Sequence, residues 1–288
     1  MADDIIGGYQ KKRLIQSGQT SQVWEVVQQS SHRHFAMKIL LPEKAKDGDA
    51  RRFLFQEATV GIKLRHPNVI QILEVNKESL PPYFIMEFFP SGSLRDRLLR
   101  KQMDWIKERA QDLFKQAATA LAYMNASGFV HRDVKPDNLL VNAAGDLKVI
   151  DFAIAARIEK PSLFSKLFRA KGKTAGTRSY MSPEQIRNEP LDGRADIYSF
   201  GATVYELTTN RPPFRGATEQ DLLKKQIIEK PLSPQVHNPD ITNEFAGLVL
   251  KMLGKKREER PKDFHEVLMA MRTMRIFKSQ PAPKSQTS

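Results

Sequence analysis

The spacing of apolar residues changes character once along this chain, near Pro90-Ser91-Gly92. That single change points to a strand-built front joined to a helix-built back. In the front part, residues 9–15 and 23–28 are rich in β-branched and aromatic side chains. They flank the polar turn Ser17-Gly18-Gln19-Thr20-Ser21, a hairpin signal. Residues 34–41 predict a third strand, closed by Pro42 and the turn pair Asp47-Gly48. Residues 51–64 place Leu54, Ala58, Gly61 and Ile62 at helical spacing. Residues 69–75 and 83–88 predict two more strands, parted by Pro81-Pro82. In the back part, residues 105–127 predict a long helix stopped by Gly128, and 194–209, 218–229, 243–253 and 262–272 predict four others. Residues 139–141 and 147–150 form a small hairpin about Gly145-Asp146, and 277–288 is a polar tail with Pro281 and Pro283. No internal repeat is present. The fold class is α+β with a hinge at 88–92.

Composition removes several function classes. There is no cysteine, so disulfides, Cys-ligated zinc, iron–sulfur centres and thiol catalysis are excluded. No apolar run approaches the ~18 residues of a membrane-spanning helix, and the acidic Met1-Ala2-Asp3-Asp4 start is not read as a secretory signal. The net charge of +13 is compatible with nucleic acid, an anionic surface or a phosphorylated ligand. The basic residues are spread out, with no aromatic-interleaved basic block, so no specific nucleic-acid partner is expected.

The densest chemistry lies in His131-Arg132-Asp133-Val134-Lys135-Pro136-Asp137-Asn138, between the long helix and the small hairpin. Asp-x-Lys-x-x-Asn supplies what phosphoryl transfer needs: a carboxylate to orient a hydroxyl and take its proton, a cation for the transferred group, and an amide oxygen for a metal ion. Thirteen residues after Asn138 comes Asp151-Phe152-Ala153, at a strand end, where a carboxylate can chelate Mg²⁺. Upstream, Lys38 lies in the third predicted strand and Glu57 in the first predicted helix, a pair able to fix a cation for nucleotide phosphates.

Taken together over about residues 9–272, these motifs resemble those of a eukaryotic-type (Hanks-type) serine/threonine protein kinase domain, of the bacterial kind. The resemblance implies a bilobal fold. Residues 1–89 would form a small antiparallel sheet lobe with one helix, 90–275 a larger helical lobe, and 276–288 a flexible tail or linker. It implies ATP and Mg²⁺ as cofactors, Asp133 as catalytic base with Lys135, Lys38 and Glu57, and Asn138 and Asp151 as metal ligands. Gly18, Val23, Ala36, Met86, Glu87, Phe88, Phe89 and Leu140 would surround the nucleotide, with Met86 as gatekeeper and Glu87–Phe89 as hinge. Glu184 of Ser182-Pro183-Glu184 would pair with Arg260, and Asp196 would brace the 131–138 loop. His131 and the two tryptophans are expected to be packing residues, and Asp137 a solvated acid. The 255–260 stretch is expected to be a solvated loop with one structural arginine.

The implied partners are proteins bearing Ser or Thr acceptors. Autophosphorylation is expected within the activation segment from Asp151 to Glu184, with Thr174 ahead of Ser179, Ser165 and Ser162, and Arg132 receiving the phosphate. Residues 161–172 predict a short basic amphipathic helix with Leu163, Phe164, Leu167 and Phe168 on one face, a candidate for autoinhibition or self-association. Such relatives often continue into membrane and sensor segments. The chain is therefore expected to be a fragment, cytoplasmic, and tied to a membrane only through segments beyond it.

Three positions depart from the family pattern. Only Gly18 remains of the three loop glycines, Gln16 and Ser21 replacing the others. Ala153 stands for glycine after Asp151-Phe152. Gly61 stands where a large apolar residue normally stacks against Phe152, which predicts a poorly held helix. A nucleotide-binding pseudokinase or scaffold is the alternative that these departures suggest.

Overall fold

The computed structural model describes residues 5–158 and 175–280. It divides into two compact units, Met1–Ser91 with Ile150–Ala155, and Gly92–Val149 with Ala156–Ser288.

The first unit is a six-stranded antiparallel sheet and one helix. Strands β1 (Ile5–Ile6), β2 (Tyr9–Ser17), β3 (Ser21–Gln28), β4 (His34–Leu40), β5 (Ile72–Asn76) and β6 (Tyr83–Glu87) lie in the order β1-β2-β3-β4-β6-β5. One face of the sheet buries Tyr9, Val26, Met37, Ile39, Tyr83 and Ile85 as a continuous core. Gly18 closes the β2–β3 turn, donating its N–H to the Ser21 carbonyl at 2.9 Å. The helix α1 spans Gly48–Gly61 and begins earlier than its apolar spacing indicates. Asp47 explains this, because its carboxylate accepts the N–H groups of Asp49 and Ala50 at 3.0 Å each, so the pair read as a turn is a helix cap. Strand β5 starts late, at Ile72, because His66 turns the chain by accepting the Asn68 N–H on Nδ1 and the Val69 N–H on its carbonyl. The short β1 was not anticipated.

The second unit is mainly helical. It contains β7 (Gly92–Ser93), α2 (Leu94–Leu99), α3 (Met103–Ala126), β8 (Phe129–Val130), β9 (Leu139–Val141), β10 (Leu147–Val149), β11 (Ala156–Arg157), α4 (Pro183–Ile186), α5 (Gly193–Thr209), α6 (Glu219–Ile228), α7 (Asn243–Met252) and α8 (Phe264–Thr273). α5 runs through the middle, buried continuously from Ala195 to Thr209. Phe114 of α3 stacks on Phe245 of α7 and meets Phe200 of α5 edge-on, and Phe200 meets Phe264 of α8. α2, too short for a periodicity signal, is made by a capping box between Ser93 and Asp96.

Two expectations for this unit are corrected. Residues 276–280 are not a loose tail. Ile276 and Phe277 are buried, and the Thr242 and Lys278 N–H groups bond to Ile276 and Asp240 carbonyls across the 241–277 bridge. Nor is Arg260 the only structural residue of 255–260, although it alone is buried there: the half-buried Lys255 is packed as well. The Lys255 ammonium lies 4.0 Å from the Phe214 ring centroid and bonds the Gln226 carbonyl. Burial pulls its pKa down to about 8, with Arg260 adding repulsion. The 161–172 helix and the acceptors Ser162, Ser165 and Thr174 lie outside the described residues. Among the described residues no helix is long and apolar enough to cross a membrane.

Candidate active site

In the first unit, strand register gathers four of the expected residues. Val23 lies opposite Lys38 across β3–β4, and Ala36 opposite Met86 across β4–β6. Opposed residues share a face, as do positions two apart, so Val23, Ala36, Lys38 and Met86 line one face of the sheet. The core residues occupy the other. Glu87 closes the end of β6 by accepting the Gln71 N–H at 2.8 Å. Phe89 follows, half-buried. In the second unit, Leu140 sits mid-strand in β9, between Lys148 of β10 and Ser93 of β7.

Lys38 reaches α1 and bonds the buried Glu57 carboxylate at 2.5 Å. Burial works against the ammonium, but the charges of Glu57 and Asp151 outweigh it and hold its pKa above the ordinary lysine value. For Glu57, burial dominates; Lys38 opposes it and Asp151 reinforces it, leaving the carboxyl pushed up to about 7. Lys38 is one cation shared by two carboxylates, Glu57 and Asp151, so it stays charged and the surplus negative charge falls on a carboxylate. A site with that surplus suits a further cation.

α1 is fastened to the 150–155 segment at more than this point. Gln56 donates to the Ala155 carbonyl at 2.9 Å, a contact that no motif signalled. Phe152 is fully buried. In the triplet the positive φ belongs to Asp151, at 69°, and not to Ala153, so the missing glycine adds no left-handed strain here. Gly61 leaves no gap either. A Cβ there would lie 2.5 Å from Ile72 Cδ1 and 3.2 Å from Phe152 Cδ2. Ile72, from β5, fills the space, rather than the neighbours Val60 or Ile62. Gly61→Leu alone is therefore expected to overpack this contact and cost about 1–3 kcal/mol. Gly61→Leu with Ile72→Ala should recover much of that loss in thermal unfolding. If the double variant is less stable than Gly61→Leu, Ile72 is not the compensating group.

In the second unit the 131–138 loop is fixed through its backbone. Asp196 of α5 accepts the His131 and Arg132 N–H groups at 2.8 Å each, which holds Arg132 at φ 70°. Burial raises the Asp196 carboxyl, and nearby His131, those two N–H groups and Asn125 act against the rise. Gln185 donates to the Arg132 carbonyl at 2.8 Å, and Thr203 to that of Val134 at 3.3 Å. The fully buried His131 accepts the Asp133 N–H on Nδ1, a packing role as expected. On this frame Asp133 Oδ2 takes Lys135 Nζ at 2.9 Å and Asn138 Nδ2 at 3.1 Å. Asn138 Nδ2 also bonds the Asp133 carbonyl at 2.8 Å. With its nitrogen engaged there, Oδ1 is the Asn138 atom suited to a metal.

Glu184 and Arg260 pair as expected, through two bonds of 2.6 and 2.8 Å. Asp137 is not merely solvated. Arg95 of α2 bonds it at 3.2 Å and also holds Glu206 of α5, whose carboxylate accepts the Tyr180 hydroxyl. Burial opposes the Arg95 charge, but Glu206, Tyr180 and Asp137 more than offset it. Thr203 and Arg95 belong to no motif.

The chain matches the protein kinase domain model over residues 9–271. It is 31% identical over 258 residues to a probable serine/threonine-protein kinase of Streptomyces coelicolor, covering 88% of this chain and 38% of that protein. It is 30% identical over 259 residues to the serine/threonine-protein kinase PknB of Mycobacterium tuberculosis, covering 88% and 40%. It is 31% identical over 264 residues to a probable serine/threonine-protein kinase of Corynebacterium efficiens, covering 89% and 39%. The chain thus spans about two-fifths of the length of these relatives. With its sheet-and-helix first unit, its helical second unit and this match along nearly its whole length, the chain belongs to the protein kinase domain family, with bacterial serine/threonine kinases as its relatives.

Proposed function

We propose that this chain transfers the γ-phosphoryl group of ATP to serine and threonine hydroxyls of proteins. The observation that carries the reading is the Asp133–Lys135–Asn138 cluster on a loop held by Asp196, Gln185 and Thr203. The charged Lys38, locked by Glu57, supports it, because a fixed cation on a sheet face beside small and apolar residues suits a nucleotide triphosphate. Lys38, Glu57, Asp133, Asn138 and Asp151, beside Lys135, are all present, which favours an active enzyme over a nucleotide-binding scaffold.

Val23, Ala36, Met86 and Leu140 would pack the adenine, the Glu87–Phe89 backbone would meet its edge, and Gly18 would approach the phosphates. Lys38 would neutralise the α- and β-phosphates. Asp133 would orient the acceptor hydroxyl and take its proton as the new O–P bond forms. The bond from Pγ to the bridging oxygen breaks, and ADP leaves. Lys135 would offset the charge of the moving phosphoryl group. Asn138 and Asp151 are the residues that would hold Mg²⁺, which when bound screens the phosphate oxygens. Phosphate accepted at Ser162, Ser165, Thr174 or Ser179 and received by Arg132, and a cytoplasmic location where ATP is plentiful, belong to the same proposal. Asp151→Asn should lower metal-dependent turnover at least about 10²-fold while circular dichroism stays native. Near-full activity in that variant would remove Asp151 from the metal site.

A further inference from the structure

Gln226 is a fully buried polar residue outside the loop. It is the one fully buried side chain of α6, whose other residues are half-buried or exposed. Burying a carboxamide is unfavourable unless its donors and acceptor are engaged. Here Nε2 donates to the Ser179 carbonyl at 2.6 Å and to the Arg178 carbonyl at 3.2 Å. Oε1 accepts the Tyr198 hydroxyl at 2.5 Å. Burial drives the Tyr198 phenol far above its ordinary pKa, so it remains a donor to Oε1, while the two carbonyls fix which end of the amide is Nε2. The next carbonyl, that of Tyr180, accepts Ser199 Oγ at 2.7 Å. Three consecutive carbonyls, 178 to 180, are thus held by side chains of α5 and α6.

The same helix places this segment beside the reaction loop. Asp196, Ser199 and Thr203 stand at i, i+3 and i+7 on one face of α5. Asp196 and Thr203 hold residues 131–134, and Ser199 holds residue 180. A hydroxyl delivered to Asp133 therefore brings its polypeptide alongside residues 178–180. We infer that Gln226 is a positioning residue for the acceptor polypeptide, fixing through residues 178 and 179 the backbone along which that polypeptide lies. This rests on the kinase function proposed above.

The test compares wild type, Gln226→Met, Gln226→Asn and Tyr198→Phe with casein as acceptor. Gln226→Met has similar bulk and no amide. It should raise the KM for casein about tenfold, the size of one lost hydrogen bond of good geometry, and leave the KM for ATP within twofold. Gln226→Asn, one methylene short of both carbonyls, should move the same constant in the same direction, and serves if the methionine variant does not fold. Tyr198→Phe keeps both Nε2 donors and should change the KM for casein less than threefold. Equal effects on both KM values, or a loss confined to kcat, would overturn the inference and leave Gln226 a fold residue only. Hydrogen exchange without ATP separates this from the kinase reading: amides 179–182 should exchange faster in Gln226→Met. Unchanged exchange there overturns the inference even in an active enzyme, whereas a wild type that phosphorylates nothing overturns the kinase reading instead.

Discussion

Asp133→Asn is expected to lower kcat by about 10²–10⁴-fold, the usual contribution of a positioned general base. Asparagine has the same shape, and the cluster gives it somewhere to sit. Its oxygen can still accept from Lys135 Nζ and Asn138 Nδ2, the two donors that Asp133 Oδ2 faces. The backbone is fixed independently, by Asp196, Gln185 and Thr203. The variant should therefore fold and bind ATP, and lose only the group that takes the proton. Steady-state kinetics with a saturating protein acceptor measures this. A variant keeping a third or more of the wild-type kcat would exclude Asp133 as the base.

Arg260→Ala is expected to have the largest effect on stability, about 3–5 kcal/mol. Both partners are buried, with Arg260 at 0% and Glu184 at 2% side-chain exposure. The guanidinium uses every donor it has. Nε bonds the Gly254 carbonyl, the terminal nitrogens take both Glu184 oxygens, and each also bonds a backbone carbonyl, of Arg194 and of Lys255. Removing the side chain leaves a buried carboxylate without its counter-charge and three carbonyls without donors. Against a total stability of about 5–15 kcal/mol, this is a large fraction. The melting temperature should fall on the order of 10 °C. Arg260→Lys, with three donors for five acceptors, should fall between alanine and wild type. A decrease of less than 2 °C for Arg260→Ala would mean that the pair carries little of the second unit's stability.

Much of the site was legible because its chemistry is local. Asp133, Lys135 and Asn138 lie within six consecutive positions, and residue type alone suggests their roles. The long helices were legible from period. What escaped has tertiary causes. α2 and α4 are helices of six and four residues built by capping boxes around Ser93 and Ser182, below the length at which periodicity speaks. Gly61 reads as a defect in sequence, because the isoleucine that fills its space comes from another element, eleven positions on. Ile276 and Phe277 were lost in a polar tail, although two adjacent large apolar residues before Pro281 were a signal of burial. Ser199, Thr203 and Gln226 left a different trace. Ser199 and Thr203 lie among Ile197, Phe200, Ala202 and Val204 in the middle of α5, an apolar setting that requires partners for them, but pattern cannot say which. Gln226 left less, since α6 is polar enough to hide it.

The central claim is that this chain moves the γ-phosphoryl of ATP onto protein hydroxyls. The most direct measurement incubates the purified chain with γ-labelled ATP, Mg²⁺ and casein, then identifies the labelled residues by mass spectrometry, with Asp133→Asn in parallel. The expected result is label on serine and threonine with the wild type, and a loss of about 10²-fold or more with the variant. Label appearing equally with both proteins, or with neither, would contradict the assignment.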